Sequence, residues 1–290
     1  MIPLISSISC GPLGVCQLPR LWWKVQLSAA GKLDSEYPEC SGGLDSQVIS
    51  RLGLERDAVL AHLRAERPDY LTFEAWVVDQ VGELDRADLE AWNSGIRSRV
   101  HRPEKLEAIP RSVGLGDAAG ITSAVILNHI EDWHYFHRQL GAGSDPLVPL
   151  ISTIDYGPLG VCQLPRTWLK VVLEANGRLH TDYPACGGGL DTRALEVLGL
   201  DRGAAVDYLS RSPSYLDFES WVLEQRGGDL DRAAIDEWNA YVNGREHGAE
   251  KRAHIQATIG RDLGDTTSAV VLNHVEDWHL AFSEGLRRGS

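Results

Sequence analysis

One methionine and four phenylalanines are all that 290 residues contain of those types, so the bulky apolar volume falls to nine tryptophans and the aliphatic residues. No apolar run approaches the roughly 20 residues that cross a bilayer, which excludes a helical membrane span. Cysteine is also sparse. The five present are widely spaced, with no C-x-x-C, and an odd number excludes a complete disulfide framework. Reduced thiols and a cytoplasmic location are predicted instead. Basic residues number 28 against 41 acidic ones, a net charge of −13, and no basic stripe interleaves with aromatics. Such a chain repels a phosphate backbone, so nucleic acid is excluded as a partner. There is no G-x-S-x-G element and no kinase signature. The Gly-containing stretches GPLG and CGGGLD lack the strand, turn and helix context of a phosphate loop. The opening MIPLISSISC lacks the basic region and long apolar core of a signal segment, and is predicted to belong to the fold.

What the sequence has in abundance is itself. GPLGVCQLPRLWWKVQLSAAGKL begins at Gly11 and GPLGVCQLPRTWLKVVLEANGRL at Gly157. YPECSGGLD returns as YPACGGGLD, RPDYLTFEAWV as SPSYLDFESWV, and LDRADLEAWN as LDRAAIDEWN. TSAVILNHIEDWH returns as TSAVVLNHVEDWH, in the same order. The period is far longer than that of solenoid repeats, which predicts duplication of a domain. Two homologous helical domains are expected, 1–142 and 147–290, in a pseudo-two-fold tandem arrangement joined at GAGSDPLVP.

Each copy reads as helical. Pro19 suits a first helical turn, and RLWWKVQLSAAGKL continues it with apolar residues at helical spacing. Asp45 is the expected N-cap of SQVISRLGL and Gly53 its stop. Further helices are predicted over Glu55 to Glu66, Leu71 to Val81, Arg86 to Val100 and Asp117 to Leu140. No run alternates with the period of a strand, so the predicted fold class is all-α.

Several features recur in both copies: LPR with a Lys four residues after its Arg (Arg20 and Lys24, Arg166 and Lys170), GKL or GRL, a Tyr, a Cys-Gly stretch and LGL. In these the segments from Gly11 to about Val81 and from Gly157 to about Leu223 resemble a bacterial family, the domain of unknown function 5069. That resemblance implies no activity.

The stretch with the most chemistry is NHIEDWH, Asn128 to His134, and its twin NHVEDWH, Asn273 to His279. At helical pitch His129 shares a side with Thr122, Val125, Ile126, Trp133 and Phe136 and should face the core; His274 does the same beside Val270, Val271 and Trp278. A buried imidazole needs a partner, and Asp132 or Asp277, three residues on, is the nearest candidate. Each pair reads either as a satisfied core histidine or as a general base oriented by a carboxylate. Glu131 with His134, and Glu276 with His279, form one Glu-x-x-His per copy; with Glu74 and Glu219 they match the ligand set of a two-metal bundle holding iron or manganese. Cys16, Cys40, His129 and His134, with Cys162, Cys186, His274 and His279 as the second set, match a zinc site, or else the thiols are small buried hydrophobes. Cys10 becomes Tyr156 in the second copy. Arg20 with Lys24, and Arg166 with Lys170, stand one turn apart, suited to clamp the carboxylate or phosphate of a small ligand or to pair with nearby acids. These residues predict a small-molecule tailoring enzyme of specialised metabolism acting through His129, His274 and their acidic neighbours, with self-association of the chain left open. The alternative is a non-catalytic helical module for ligand binding or protein interaction.

Overall fold

The computed structural model describes residues 1–115 and 120–286, and among them it contains fourteen α-helices and no strand. The all-α class follows from local chemistry. Helix α1 (Leu18–Ala29) carries Pro19 in its first turn, and every residue from Leu18 to Leu27 except Arg20 is buried. A helix that is apolar almost all round must be central, and this one packs against α2 (Leu44–Arg51), α3 (Arg56–Glu66) and α4 (Tyr70–Val81). Asp69 caps α4 by accepting from the Thr72 amide at 2.8 Å, and Asp85 caps α5 (Arg86–Arg97) through Ala87 N at 2.8 Å. Then come α6 (Pro103–Ser112) and α7 (Ala124–Arg138), the latter capped by Ser123.

The order then recurs: α8 (Leu164–Ala175), α9 (Leu190–Val197), α10 (Arg202–Leu209), α11 (Tyr215–Gln225), α12 (Arg232–Asn243), α13 (Ala249–Ile259) and α14 (Ala269–Gly285). Helix α8 is buried from Leu164 through Leu173 and is the second central helix. A full capping box between Ser214 and Asp217 starts α11.

The compact units cut across the recurring blocks. One unit is Met1–Ser98 together with Glu246–Ser290, and the other is Arg99–Arg245. Each therefore holds five helices from the front of one block and the closing helix pair of the other: α1 to α5 with α13 and α14, and α8 to α12 with α6 and α7. The sequence divisions 1–142 and 147–290 mark where the blocks repeat, whereas the cores divide elsewhere. The physical reason lies in the closing helices, whose apolar faces pack on α4 in one unit and on α11 in the other.

Three local expectations are corrected. Asp45 is not a cap: Gly43 occupies that position, and the Asp45 carboxylate turns inward to Lys24. Helices α6 and α13 were not foreseen, because α6 carries an internal Pro110 and each buries only two residues. The last helix of the first block begins at Ala124 rather than Asp117; Asp117 itself lies outside the described residues.

Candidate functional site

In the second unit the side chains of α7 and α11 meet beneath the loop 152–160. His129 is 2% exposed, donates from Nδ1 to the Tyr156 carbonyl at 2.9 Å, and stacks on Trp133 with centroids 5.0 Å apart. Trp133 meets the edge of Tyr215 at 4.5 Å, and the Tyr215 hydroxyl donates to Glu219 Oε1 at 2.6 Å. Glu219 also accepts the Leu159 amide, at 3.2 and 3.3 Å to its two oxygens. Burial pushes the Glu219 carboxyl up to about 8, against the opposing pull of the Tyr215 and Leu159 hydrogen bonds. The first unit builds the same chain of contacts from His274, Trp278, Tyr70, Glu74 and Leu13. His274 Nδ1 donates to the Cys10 carbonyl at 2.9 Å, and burial raises Glu74 to about 7.

Gly157 and Gly11 allow this arrangement. A methyl group at Gly157 would overlap Tyr215 Cε1 and Glu219 Oε1, and one at Gly11 would overlap Tyr70 Cε1 and Glu74 Oε1. Gly157→Ala is expected to lower stability by about 1–3 kcal/mol through overpacking. Urea denaturation checks this; a loss below about 0.5 kcal/mol would show that the loop yields freely.

Where the units differ, the difference is chemical. A carbonyl oxygen only accepts, so His129 Nδ1 carries a proton and Nε2 faces Asp155 Oδ1 at 3.5 Å. Asp155 is fully buried, and neither His129 Nε2 nor Asp155 Oδ1 has a hydrogen-bond partner. The carboxylate facing His129 is thus Asp155, from the loop, rather than Asp132, which is buried on the same helix as His129. Ser9 holds the Asp155 position in the first unit, where Asp277 is likewise buried on α14.

The remaining sequence candidates are spread over separate partners. Glu131 lies 3.8 Å from Lys105 of α6, and Glu276 lies 3.1 Å from Lys251 of α13 and 3.8 Å from His254. Glu74 and Glu219 sit under their own loops, His134 is half-buried with its basicity lowered by desolvation, and His279 lies on α14 with Glu276. Cys16 contacts Cys10, Cys40 contacts the Ser41 carbonyl, Cys162 the Ile154 carbonyl, and Cys186 is buried. The structure does not assemble the two-metal or the zinc set: among the described residues no group of three or more His, Cys, Asp or Glu could hold a metal ion. The four cations are engaged inside the fold. Arg20 donates to the Pro3 and Ile5 carbonyls at 2.6 and 2.8 Å, and Arg166 to those of Pro149 and Ile151 at 2.5 and 2.8 Å. Lys24 pairs with Asp45 at 2.6 Å and Lys170 with Asp191 at 2.5 Å, all four buried.

The model of the family described as Domain of unknown function (DUF5069) matches residues 11–127. Over these residues, about two fifths of its length, the chain is similar to the DUF5069 family. No curated protein and no solved structure matches the chain. The DUF5069 match runs past Ser98, so it spans residues of both compact units, and it ends one residue before Asn128. Gly11, Tyr70, Glu74 and the Lys24–Asp45 pair lie inside the matched segment. His129 and Trp133 lie beyond it.

In the structure NHxEDWH is a docking motif as well as a chemical one. Asn128 and Asn273 pair with His101 and His247 at 2.9 and 2.8 Å, Glu131 and Glu276 reach the lysines of the neighbouring helix, and His and Trp grip the loop and α11 or α4. Reasoning from sequence missed Asp155, Tyr70 and Tyr215. The tyrosines were legible as the residues four before Glu74 and Glu219, one helical turn away. Asp155 carried no such signal, since only the fold brings it to His129. No helix among the described residues is long and apolar enough to cross a membrane.

Proposed function

We propose that the protein is a cytoplasmic enzyme acting on a small molecule by proton transfer, with its acid–base pair His129 and Asp155 in the unit Arg99–Arg245. The observation that carries this reading is the pair itself: two buried titratable atoms 3.5 Å apart, neither hydrogen-bonded elsewhere. A carboxylate facing the free imidazole nitrogen can orient that nitrogen for proton transfer with a bound molecule. Tyr156 fixes the tautomer by occupying Nδ1, which leaves Nε2 as the reacting nitrogen. Glu219 and Tyr215 support the ring through Trp133 and hold the loop down at Leu159. Substrate entry then requires the loop 152–160 to lift from α7. The cytoplasmic assignment is supported by five free thiols and the acidic composition.

A second reading has its own observation: every cation proposed to clamp a ligand is already partnered in the fold, and NHxEDWH serves to dock helices. On that reading the chain is a non-catalytic helical module. Ligand-observed NMR against a library of polar metabolites, with wild type, Asp155→Asn and His129→Gln, separates the two. The enzyme reading expects a ligand that is turned over by wild type, about 100-fold or more slowly by Asp155→Asn, with native circular dichroism retained. If both variants bind and process what wild type does, and differ only in melting temperature, the histidine is a core residue and the reading fails.

A further inference from the structure

The first unit puts thiols where the second has an acid–base pair. Cys10 Sγ lies 2.9 Å from Cys16 Sγ, and both sulfurs also approach the Ile8 carbonyl, at 3.6 and 3.4 Å. A disulfide bond is about 2.05 Å long, so closure needs an approach of about 0.9 Å within one short loop. Cys16 is fully buried, whereas Cys10 is partly exposed. We propose that Cys10 and Cys16 form a redox-active dithiol that reduces hydroperoxides and closes to a reversible disulfide.

The surroundings distinguish this thiol pair from an ordinary buried cysteine. The Cys10 thiol beside Cys16 holds the Cys16 thiol below the usual pKa of a cysteine, against the effect of burial, and the Arg97 guanidinium lowers it further. In the other unit the matching cysteine is Cys162, pushed up to about 12 by burial and by Asp155. Three replacements account for the contrast: Cys10 becomes Tyr156, Ser9 becomes Asp155, and Arg97 becomes Asn243. The thiol partner and the favourable charge are lost together, and an acid is gained. On α5 and its C-cap, Glu90, Asn93, Ser94, Arg97 and Ser98 line a surface cavity of about 390 Å³. Asn93, in that lining, accepts the Cys16 amide at 2.9 Å, so the cavity borders the loop that carries the pair.

The chemistry balances with a hydroperoxide as oxidant. Cys10 sulfur attacks the distal oxygen as its proton passes to the Cys16 thiolate; the S–O bond forms, the O–O bond breaks, and an alkoxide leaves and takes a proton from the Cys16 thiol. The renewed Cys16 thiolate attacks the Cys10 sulfenic sulfur, forming the S–S bond and expelling hydroxide. Two thiol sulfurs are oxidised by two electrons and the peroxide is reduced to alcohol and hydroxide.

The test treats the full chain with one equivalent of hydrogen peroxide, alkylates remaining thiols with N-ethylmaleimide under denaturing conditions, and follows intact mass and peptide maps with time. The proposal expects loss of two alkylation sites, a linked pair of peptides carrying Cys10 and Cys16, formation at least tenfold faster than oxidation of Cys162, and full reversal by dithiothreitol. Cys10→Ser should abolish the linkage while Cys162 reacts as before. Retention of both thiols, or reaction no faster than at Cys162, would overturn it, and this wild-type comparison holds even where Cys10→Ser fails to fold.

Discussion

Replacing Asp191 by alanine is expected to destabilise the unit Arg99–Arg245 by about 3–5 kcal/mol, the usual consequence of stripping one partner from a buried ion pair. The Asp191 carboxylate accepts from Lys170 Nζ at 2.5 Å, Gln163 Nε2 at 2.7 Å, Thr167 Oγ1 at 2.8 Å and the Gly187 amide at 2.8 Å. Without it the buried Lys170 ammonium, the Gln163 side-chain amide and the Gly187 backbone amide lose their acceptor together, whereas the Thr167 hydroxyl keeps the Gln163 carbonyl at 3.1 Å. Lys170 already has its basicity lowered by desolvation, offset in part by Asp191, so the variant should shed the lysine proton to survive. Gln163 adds a backbone cost. It adopts φ 70°, an uncommon region for a residue with a side chain, and its bond to Asp191 is what holds it there. Urea denaturation of Asp191→Ala against Lys170→Met and the double variant Lys170→Met with Asp191→Leu resolves the contributions. The apolar double variant should recover most of the loss, because well-packed hydrophobes replace buried ion pairs at little cost. A loss under about 1 kcal/mol in Asp191→Ala would mean that water reaches the lysine.

The same pair explains part of what the sequence could reveal. The spacing of Arg20 and Lys24, and of Arg166 and Lys170, correctly put cations on a helix, but a one-dimensional pattern cannot tell which way a helix buried on all sides presents them. Because α1 and α8 are central, even their lysines must find partners inside, and the CSGGLD and CGGGLD stretches supply them. The helical phase of His129 was legible for the opposite reason: α7 has one buried face, and the periodicity of Val125, His129 and Trp133 follows it. The acid opposite His129 was not legible. Asp155 is 26 positions away, in a loop whose path is set by packing rather than by periodicity. The exchange of closing helices between blocks was equally hidden, since similar apolar faces at the ends of two similar blocks give no sign of which front each one packs on.

Raising the pH from about 5 to 9 is expected to weaken both units, and Glu219→Gln should remove most of that slope from the unit Arg99–Arg245. Burial lifts Glu219 to about 8 and Glu74 to about 7, whereas in the unfolded chain each carboxyl titrates near 4.3. Between those values the folded state keeps a proton that the unfolded state has released, so protonation favours folding and stability falls as the pH rises through the window. The contribution is intact below about pH 4.3 and gone above the folded value. The stability lost between pH 5 and pH 9 is on the order of 4 kcal/mol for Glu219 and on the order of 3 kcal/mol for Glu74. Glutamine is the neutral counterpart of the protonated acid, and its carbonyl can accept from Tyr215 and Leu159 as Glu219 does. The Glu219→Gln variant should therefore match wild type near pH 5 and exceed it above pH 8, with Glu74→Gln doing the same at a slightly lower pH for the unit that contains α4. Urea midpoints at pH 5, 7 and 9 measure the slopes. Parallel slopes in wild type and both variants would mean that the carboxyls ionise freely and that Leu13, Leu159 and the two tyrosines hold anions instead of acids.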